Sequence, residues 1–294
     1  MQMIITYTLL GLCVSSLWFR GSYYRQKSKL WMLILAVSMT ASFIFGFIDY
    51  KSIPFIILFG GCCYLTEQEN ISGLKRVFAT GAVCLLSLGF IGHYIPGFFN
   101  PAIIRDTIIS KDAPGYSLYF SYDKALVGIF ILGFARKKIF GKRQFLKMLS
   151  ILFPILITTV IVLCIAAVVF GYTRFDLKFN KIFFVWTFSN LFITCLSEEA
   201  FFRGFVQKHL QRLLIKHKHG AVISLLSAAV LFGLVHYGGG VKYIILAVLA
   251  GIGYGFAYQK TTAIEASILT HFSVNQAHFI FFTYPVLTTA LPFQ

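Results

Sequence analysis

The sequence predicts an all-α polytopic integral membrane protein, a bundle of about eight to ten transmembrane helices around an intramembrane polar cavity. Three observations predict it. Of the 294 residues, 58% are hydrophobic and only 12% charged, about half the charged fraction of a typical soluble domain. The apolar residues fall into ten continuous runs and do not alternate with polar ones, which excludes a transmembrane β-barrel. The basic residues collect between those runs, as the positive-inside rule requires.

In chain order the runs are Met3–Phe19, Leu30–Ile48, Phe55–Leu65, Val77–Ile95, Leu118–Phe134, Met148–Phe170, Ile182–Leu196, Ala221–Val235, Val241–Tyr258 and Ala263–Leu287. A spanning helix needs roughly 17–25 apolar residues, so most runs qualify and two or three are short. The first run has no basic stretch before it, and bulky Trp18 and Phe19 follow Ser15 and Ser16. It is expected to stay as an anchoring span, not to be removed as a leader. The connection Gly97–Asp123 carries Tyr116, Tyr119, Phe120 and Tyr122, the composition of an interfacial aromatic belt. The polar stretch Gly171–Lys181 is the best internal boundary. It divides residues 1–180, helices of unassigned role with little ionisable chemistry, from residues 181–288, which carry the candidate chemistry. His93, beside Gly92 and Pro96, is expected to be a solvated interfacial residue.

The net charge of +16 is explained by where the charge lies. Lys and Arg cluster in Arg20–Lys29, Arg136–Lys147 and Arg203–Lys218, and with alternating spans and an outer N-terminus the inner loops hold 18 of the 26. Basic loops facing anionic headgroups account for this without nucleic acid. The six cysteines (Cys13, Cys62, Cys63, Cys84, Cys164 and Cys195) all lie in apolar runs with no C-x-x-C pair. Neither a disulfide framework nor a metal-thiolate site is expected.

Two adjacent carboxylates, Glu198 and Glu199, follow the run Ile182–Leu196 in a chain with only 10 acidic residues. A charge at bilayer depth costs roughly 2.5–3.5 kcal/mol on insertion scales and points to function with a partner nearby. On a helix Glu199 and Arg203 share a face and suit an ion pair, while Glu198 points about 100° away toward a cavity. His236 ends Phe232-Gly-Leu-Val-His236, where Tyr237-Gly-Gly-Gly240 lets the backbone break. His271 and Asn275, four apart, share one helical face and need internal partners in an apolar helix. His278 is a weaker candidate on that stripe. Strict alternation of spans would separate Glu198 from His236 by about 22 Å, fifteen residues at 1.5 Å each. A shared site therefore requires the stretch after Glu199 to enter the membrane, and Phe201, Phe202, Gly204, Phe205, Leu210, Leu213 and Leu214 give it the amphipathic character to do so.

The ordered set Glu-Glu-x-x-x-Arg, Phe-x-x-x-His and His-x-x-x-Asn, spread over about 80 residues of Ile182–Leu287, resembles the CPBP family. That family comprises the type 2 CAAX prenyl endopeptidases of the membrane and the bacterial Abi and bacteriocin-immunity proteins. The resemblance implies an intramembrane endopeptidase in which Glu198 with His236 activates water. His271 and Asn275 would polarise the scissile carbonyl, and Glu199 and Arg203 would orient Glu198. These six are the expected catalytic residues.

No cofactor is expected. The alternative is a zinc site of Glu198, His236 and His271, three ligands with an open fourth position, although no H-E-x-x-H is present. The expected partners are membrane lipids and a peptide or protein substrate, lipid-modified in the CAAX case, and the expected location is a bacterial inner membrane. Two other classes compete: a non-catalytic scaffold or self-immunity factor using the same cavity, and a small transporter using Glu198 and the histidines as a relay. No inverted repeat relates the two halves, which disfavours the transporter. Small residues at Gly251-x-Gly-x-Gly255 suit helix packing, and Lys216-His-Lys-His219 reads as a solvated basic loop.

Overall fold

Every apolar run becomes a helix in the computed structural model, which describes residues 1–19, 29–135, 138–139 and 141–291. The helices are α1 Gln2–Ser16, α2 Leu30–Ile44, α3 Ile53–Thr66, α4 Gly73–Ile91, α5 Tyr122–Phe134, α6 Lys142–Val169, α10 Gly220–Leu234, α11 Gly240–Thr261 and α12 Ile264–Phe281. Between α6 and α10 the chain stays helical from Phe183 to Leu213 through α7 Phe183–Ser189, a π-helical stretch Asn190–Cys195, α8 Leu196–Glu199, a second π-helical stretch Ala200–Gln207 and α9 Lys208–Leu213. Most of the basic cluster Arg20–Lys29, and Arg136 and Lys137 of the next, lie outside the described residues.

Among the described residues three helices, Gly73–Ile91, Lys142–Val169 and Tyr237–Thr261, are long and apolar enough to cross a membrane, and four shorter apolar helices accompany them. The protein is an all-α polytopic membrane protein. Where α2 and α4 stop short of the ends of their apolar runs, a positive-φ residue breaks the backbone. Gly46 (φ 76°) follows α2, and His93 (φ 62°) follows α4.

By contacts the chain forms two compact units that interleave along the sequence. The first is Met1–Pro101 with Phe120–Phe140 and Phe192–Phe201; the second is Ala102–Tyr119 with Gly141–Leu191 and Phe202–Gln294.

In the first unit α5 is the centre, packed by α3, α4 and α8. Tyr122, Ala125, Leu126, Val127 and Ile129 are fully buried, as expected of a helix that is apolar all round. Glycines set these approaches. A Cβ on Gly60 would meet Phe130 at 2.9 Å, and one on Gly128 would meet Leu196 at 2.7 Å and the Ser197 hydroxyl at 3.2 Å. The close approach at Gly128 brings α8 against α5, with Lys124 one turn away on the same face. The Tyr122 hydroxyl pairs with Ser38 Oγ at 2.9 Å, and the Tyr7 hydroxyl donates to the Phe120 carbonyl at 2.6 Å.

In the second unit α6, a 28-residue helix with Pro154 inside it, is packed by α11 and α12, and α10 packs on α11. The connection read as an aromatic belt contains two antiparallel strands, β1 Ala102–Thr107 and β2 Tyr116–Tyr119, pairing Ala102 with Tyr119 and Thr107 with Tyr116. The extended stretch after α6 pairs with the chain leaving α12: Phe175 bridges Phe282, the Asp176 N–H donates to the Phe281 carbonyl at 2.8 Å and the Lys178 N–H to the Ile280 carbonyl at 2.8 Å. Arg174 pairs with Asp112. Lys178 Nζ sits 3.2 Å from Asp176 Oδ2 and donates to the Phe282 carbonyl. A hydrogen bond from Ser110, then the Lys178 ammonium, holds the Asp176 carboxyl below its ordinary range. Lys178 is the more buried partner, and its pKa is lowered because burial outweighs the pair.

Candidate active site

Glu198 and Glu199 lie inside a continuous helical path, not at the end of a span. The apolar run stops at Leu196, but the helix continues through the buried residues Phe201, Phe202, Arg203 and Phe205 to Leu213. Two π-helical stretches flank the four residues Leu196–Glu199, and such i→i+5 turns occur frequently at functional sites.

In the first unit both carboxylates are buried, Glu199 completely. The Lys124 ammonium donates to Glu198 Oε1 at 2.7 Å, with side chains 15% and 8% exposed. An ionised carboxylate out of water needs such a partner. Lys124 corrects the expectation that the chain before residue 181 holds little ionisable chemistry. Its neighbour Asp123 is buried as well, accepting from Asn100 Nδ2 at 3.0 Å and pairing with His93 Nδ1 at 2.7 Å. His93, half-exposed, is thus an anchored residue and not simply a solvated one. Lys124 carries little signal in the sequence, because it lies 74 residues from Glu198 within an apolar run.

In the second unit Phe232 gathers three of the remaining motif residues, Arg203, His236 and His271. The guanidinium carbon of Arg203 sits 4.6 Å from its ring centroid, the His236 ring 4.7 Å away and the His271 ring 5.8 Å away, edge-on at 90°. Tyr254 stacks on His271 at 4.6 Å and 16° and lies 5.4 Å from the Arg203 guanidinium. Arg203 is fully buried. Its Nη2 donates to the Gly251 carbonyl at 3.0 Å, and the aromatic faces add cation–π attraction, worth about 2 kcal/mol or more when desolvated. Sequence distance hid this role of Tyr254 and Gly251.

His236 Nδ1 lies 2.6 Å from the Phe232 carbonyl. A carbonyl only accepts, so Nδ1 carries the proton and Nε2 is the basic nitrogen. Asn275 Nδ2 donates to Asn190 Oδ1 at 3.3 Å, joining α12 to the start of the first π-helical stretch. Asn190 was legible only as a polar residue in an apolar run. His278 Nε2 donates to the Thr283 carbonyl at 3.1 Å and its ring lies 5.3 Å from Tyr284, so it secures the chain after α12. Glu265, in the first turn of α12, is a further buried carboxylate.

Among the described residues no three His, Cys, Asp or Glu side chains come together as a metal site. His217 and His219 are exposed on the basic loop, rings 6.3 Å apart.

Residues 179–277 match the family model for the type II CAAX prenyl endopeptidase, Rce1-like. The matched segment is about a third of the chain and contains all six residues Glu198, Glu199, Arg203, His236, His271 and Asn275. It bears out the resemblance carried by the three motifs. No curated protein and no solved structure matches the chain.

Proposed function

We propose that this chain is an intramembrane endopeptidase of the CAAX type that cleaves its substrate with a glutamate-activated water. The observation that carries the reading is the match of residues 179–277, within which Arg203, His236 and His271 gather on Phe232. Peptide hydrolysis needs a base for water, donors for the developing oxyanion and a proton for the leaving amine.

Glu198 is the base. The Lys124 ammonium, 2.7 Å from Oε1, holds its carboxyl group in place. The water oxygen bonds to the scissile carbonyl carbon, and the carbonyl π electrons move to oxygen. His236, with Nε2 as its basic nitrogen, assists the water's activation. His271 and Asn275 donate to the oxyanion, Asn275 oriented by Asn190. As the intermediate collapses the C–N bond breaks, and the proton taken from water passes to the amine. Glu199 and Arg203 position Glu198 from the same helical path, Arg203 being held by Gly251 and the aromatic faces.

The test is hydrolysis of an internally quenched, farnesylated CAAX peptide by the full-length protein in liposomes. A positioned general base contributes about 10²–10⁴-fold, so Glu198→Gln is expected to lower kcat, measured per folded molecule, by at least about a hundredfold. Full hydrolysis by Glu198→Gln would end the proposal.

A further inference from the structure

The stretch Arg174–Phe179 has an inverted pattern for a surface segment. It is extended and alternates, yet its apolar side chains point out: Phe175, Leu177 and Phe179 are 69%, 65% and 69% exposed. The side chains between them are tied down, Arg174 to Asp112 and Lys178 to Asp176 and the Phe282 carbonyl. The backbone alternates in the same way. The Arg174 carbonyl and the N–H groups of Asp176 and Lys178 bond to residues 280–283. In extended chain the N–H and C=O groups of Phe175 and Leu177 then face the opposite edge, where no other strand is paired among the described residues.

An open edge beside an apolar face has two candidate occupants, lipid and an extended peptide. Acyl chains would cover the phenylalanines but cannot satisfy backbone N–H and C=O groups, and open sheet edges do not persist in lipid. A peptide strand satisfies both. The edge is also continuous with the candidate catalytic helix. Its pairing partner is the chain leaving α12, and Ile280 lies five residues beyond Asn275, about 7–8 Å along a helix axis. Phe179 lies against Phe183 at the start of α7, rings tilted by 40° and centroids 4.8 Å apart, and Phe282 lies beside Phe175 at 6.1 Å, widening the apolar face.

We infer that the outer edge of residues 174–179 is a docking strand, on which an extended apolar segment of the peptide substrate adds as a further β-strand with alternate side chains on Phe175, Leu177 and Phe179. The inference rests on the protease reading for the identity of the peptide. It does not rest on that reading for the edge itself.

Two measurements on the full-length protein in liposomes test it, using the farnesylated CAAX peptide as the probe. Leu177→Pro removes one outward N–H and leaves the inward bonds of Asp176 and Lys178 in place. Leu177→Ala keeps the N–H and removes apolar area. With one backbone hydrogen bond at stake, Leu177→Pro is expected to raise KM about fivefold or more with kcat within twofold, while Leu177→Ala gives a smaller rise. Independently, benzoylphenylalanine at position 177 in a Glu198→Gln background is expected to crosslink a biotinylated form of the peptide, saturably and with competition by unlabelled peptide. Crosslinking to lipid alone, or an unchanged KM in Leu177→Pro, overturns the docking strand even if hydrolysis is normal. Saturable peptide crosslinking without hydrolysis by the wild type keeps the strand and removes the protease reading instead. If Leu177→Pro fails to fold, the crosslink decides.

Discussion

Lys124→Met should expose how far Glu198 depends on a residue outside the matched segment. The Lys124 ammonium and Glu198 Oε1 are 2.7 Å apart, with both side chains largely out of water. At an effective dielectric of about 20 their attraction is about 6 kcal/mol, opposed by desolvation of several kcal/mol per ion. Removing the ammonium alone leaves the buried carboxylate uncompensated, at a cost of about 3–5 kcal/mol. Unfolding of the full-length protein in mixed micelles should show this loss, and peptide hydrolysis should fall with it. Lys124→Arg should retain most of both. The double variant Lys124→Met/Glu198→Gln carries no unpaired charge, so its stability should return to within about 1 kcal/mol of wild type while hydrolysis stays absent. If Lys124→Met is as stable and active as wild type, or if the double variant is as unstable as the single, the ion pair does not hold Glu198 and the reasoning fails.

Three further outcomes follow from the geometry. Arg203→Lys keeps the charge but loses the planar cation on Phe232 and the donor to the Gly251 carbonyl; unfolding titrations should show a loss of about 2–3 kcal/mol. Gly251→Ala places a Cβ about 3.0 Å from Ala229 Cα, where backbone must give way, and should destabilise by about 1–3 kcal/mol in the same assay. The Asp176–Lys178 clasp should loosen in acid. A carboxyl whose pKa is lowered by folding contributes stability above its unfolded value of about 3.9, and loses it as pH falls through the folded value. Amide exchange at Asp176 and Lys178, corrected for intrinsic rate, should therefore accelerate below about pH 4 in wild type and show no such acid step in Asp176→Asn.

The helices were legible because a lipid-facing helix must be apolar along its whole length, and every apolar run became one. What the runs could not show was where helices go on past a charge. By charge Arg203, Lys208 and Arg212 belong to a basic cluster between apolar runs, yet the helix continues to Leu213, as the amphipathic pattern after Glu199 allows. Arg203 is buried because Phe232, Tyr254 and the Gly251 carbonyl receive it, and none of these is near it in sequence. Lys124 was hidden for the same reason, since its value to Glu198 exists only once Gly128 lets α8 approach α5. The motif residues were legible as types in a pattern; their partners Tyr254, Asn190 and Lys124 belong to the packing. The stretch Gly171–Lys181 was read by composition as a polar boundary. Its alternation carried the information: apolar residues at 175, 177 and 179 turn outward because the residues between them are fastened to the end of α12.

The glycines of α11 show why packing and chemistry cannot be assigned to separate residues in this protein. Gly251 and Gly255 were read as small residues for close helix approach, and Gly251 does meet Ala229 of α10 at contact distance. The same two residues present their carbonyls to side-chain donors: Arg203 reaches Gly251 and Gln207 reaches Gly255, each over a separation of 48 residues. Two donors four apart meeting two acceptors four apart fix the register of the π-helical stretch against α11, because a slide of one residue would break both bonds at once. A side chain at 255 would also collide with the Gln207 amide, at about 2.9 Å. Close packing is therefore what admits the donors, and the donors are what hold Arg203 against Phe232, beside His236 and His271. The sequence spacing Gly-x-x-x-Gly thus does the same work for the site that it does for the fold.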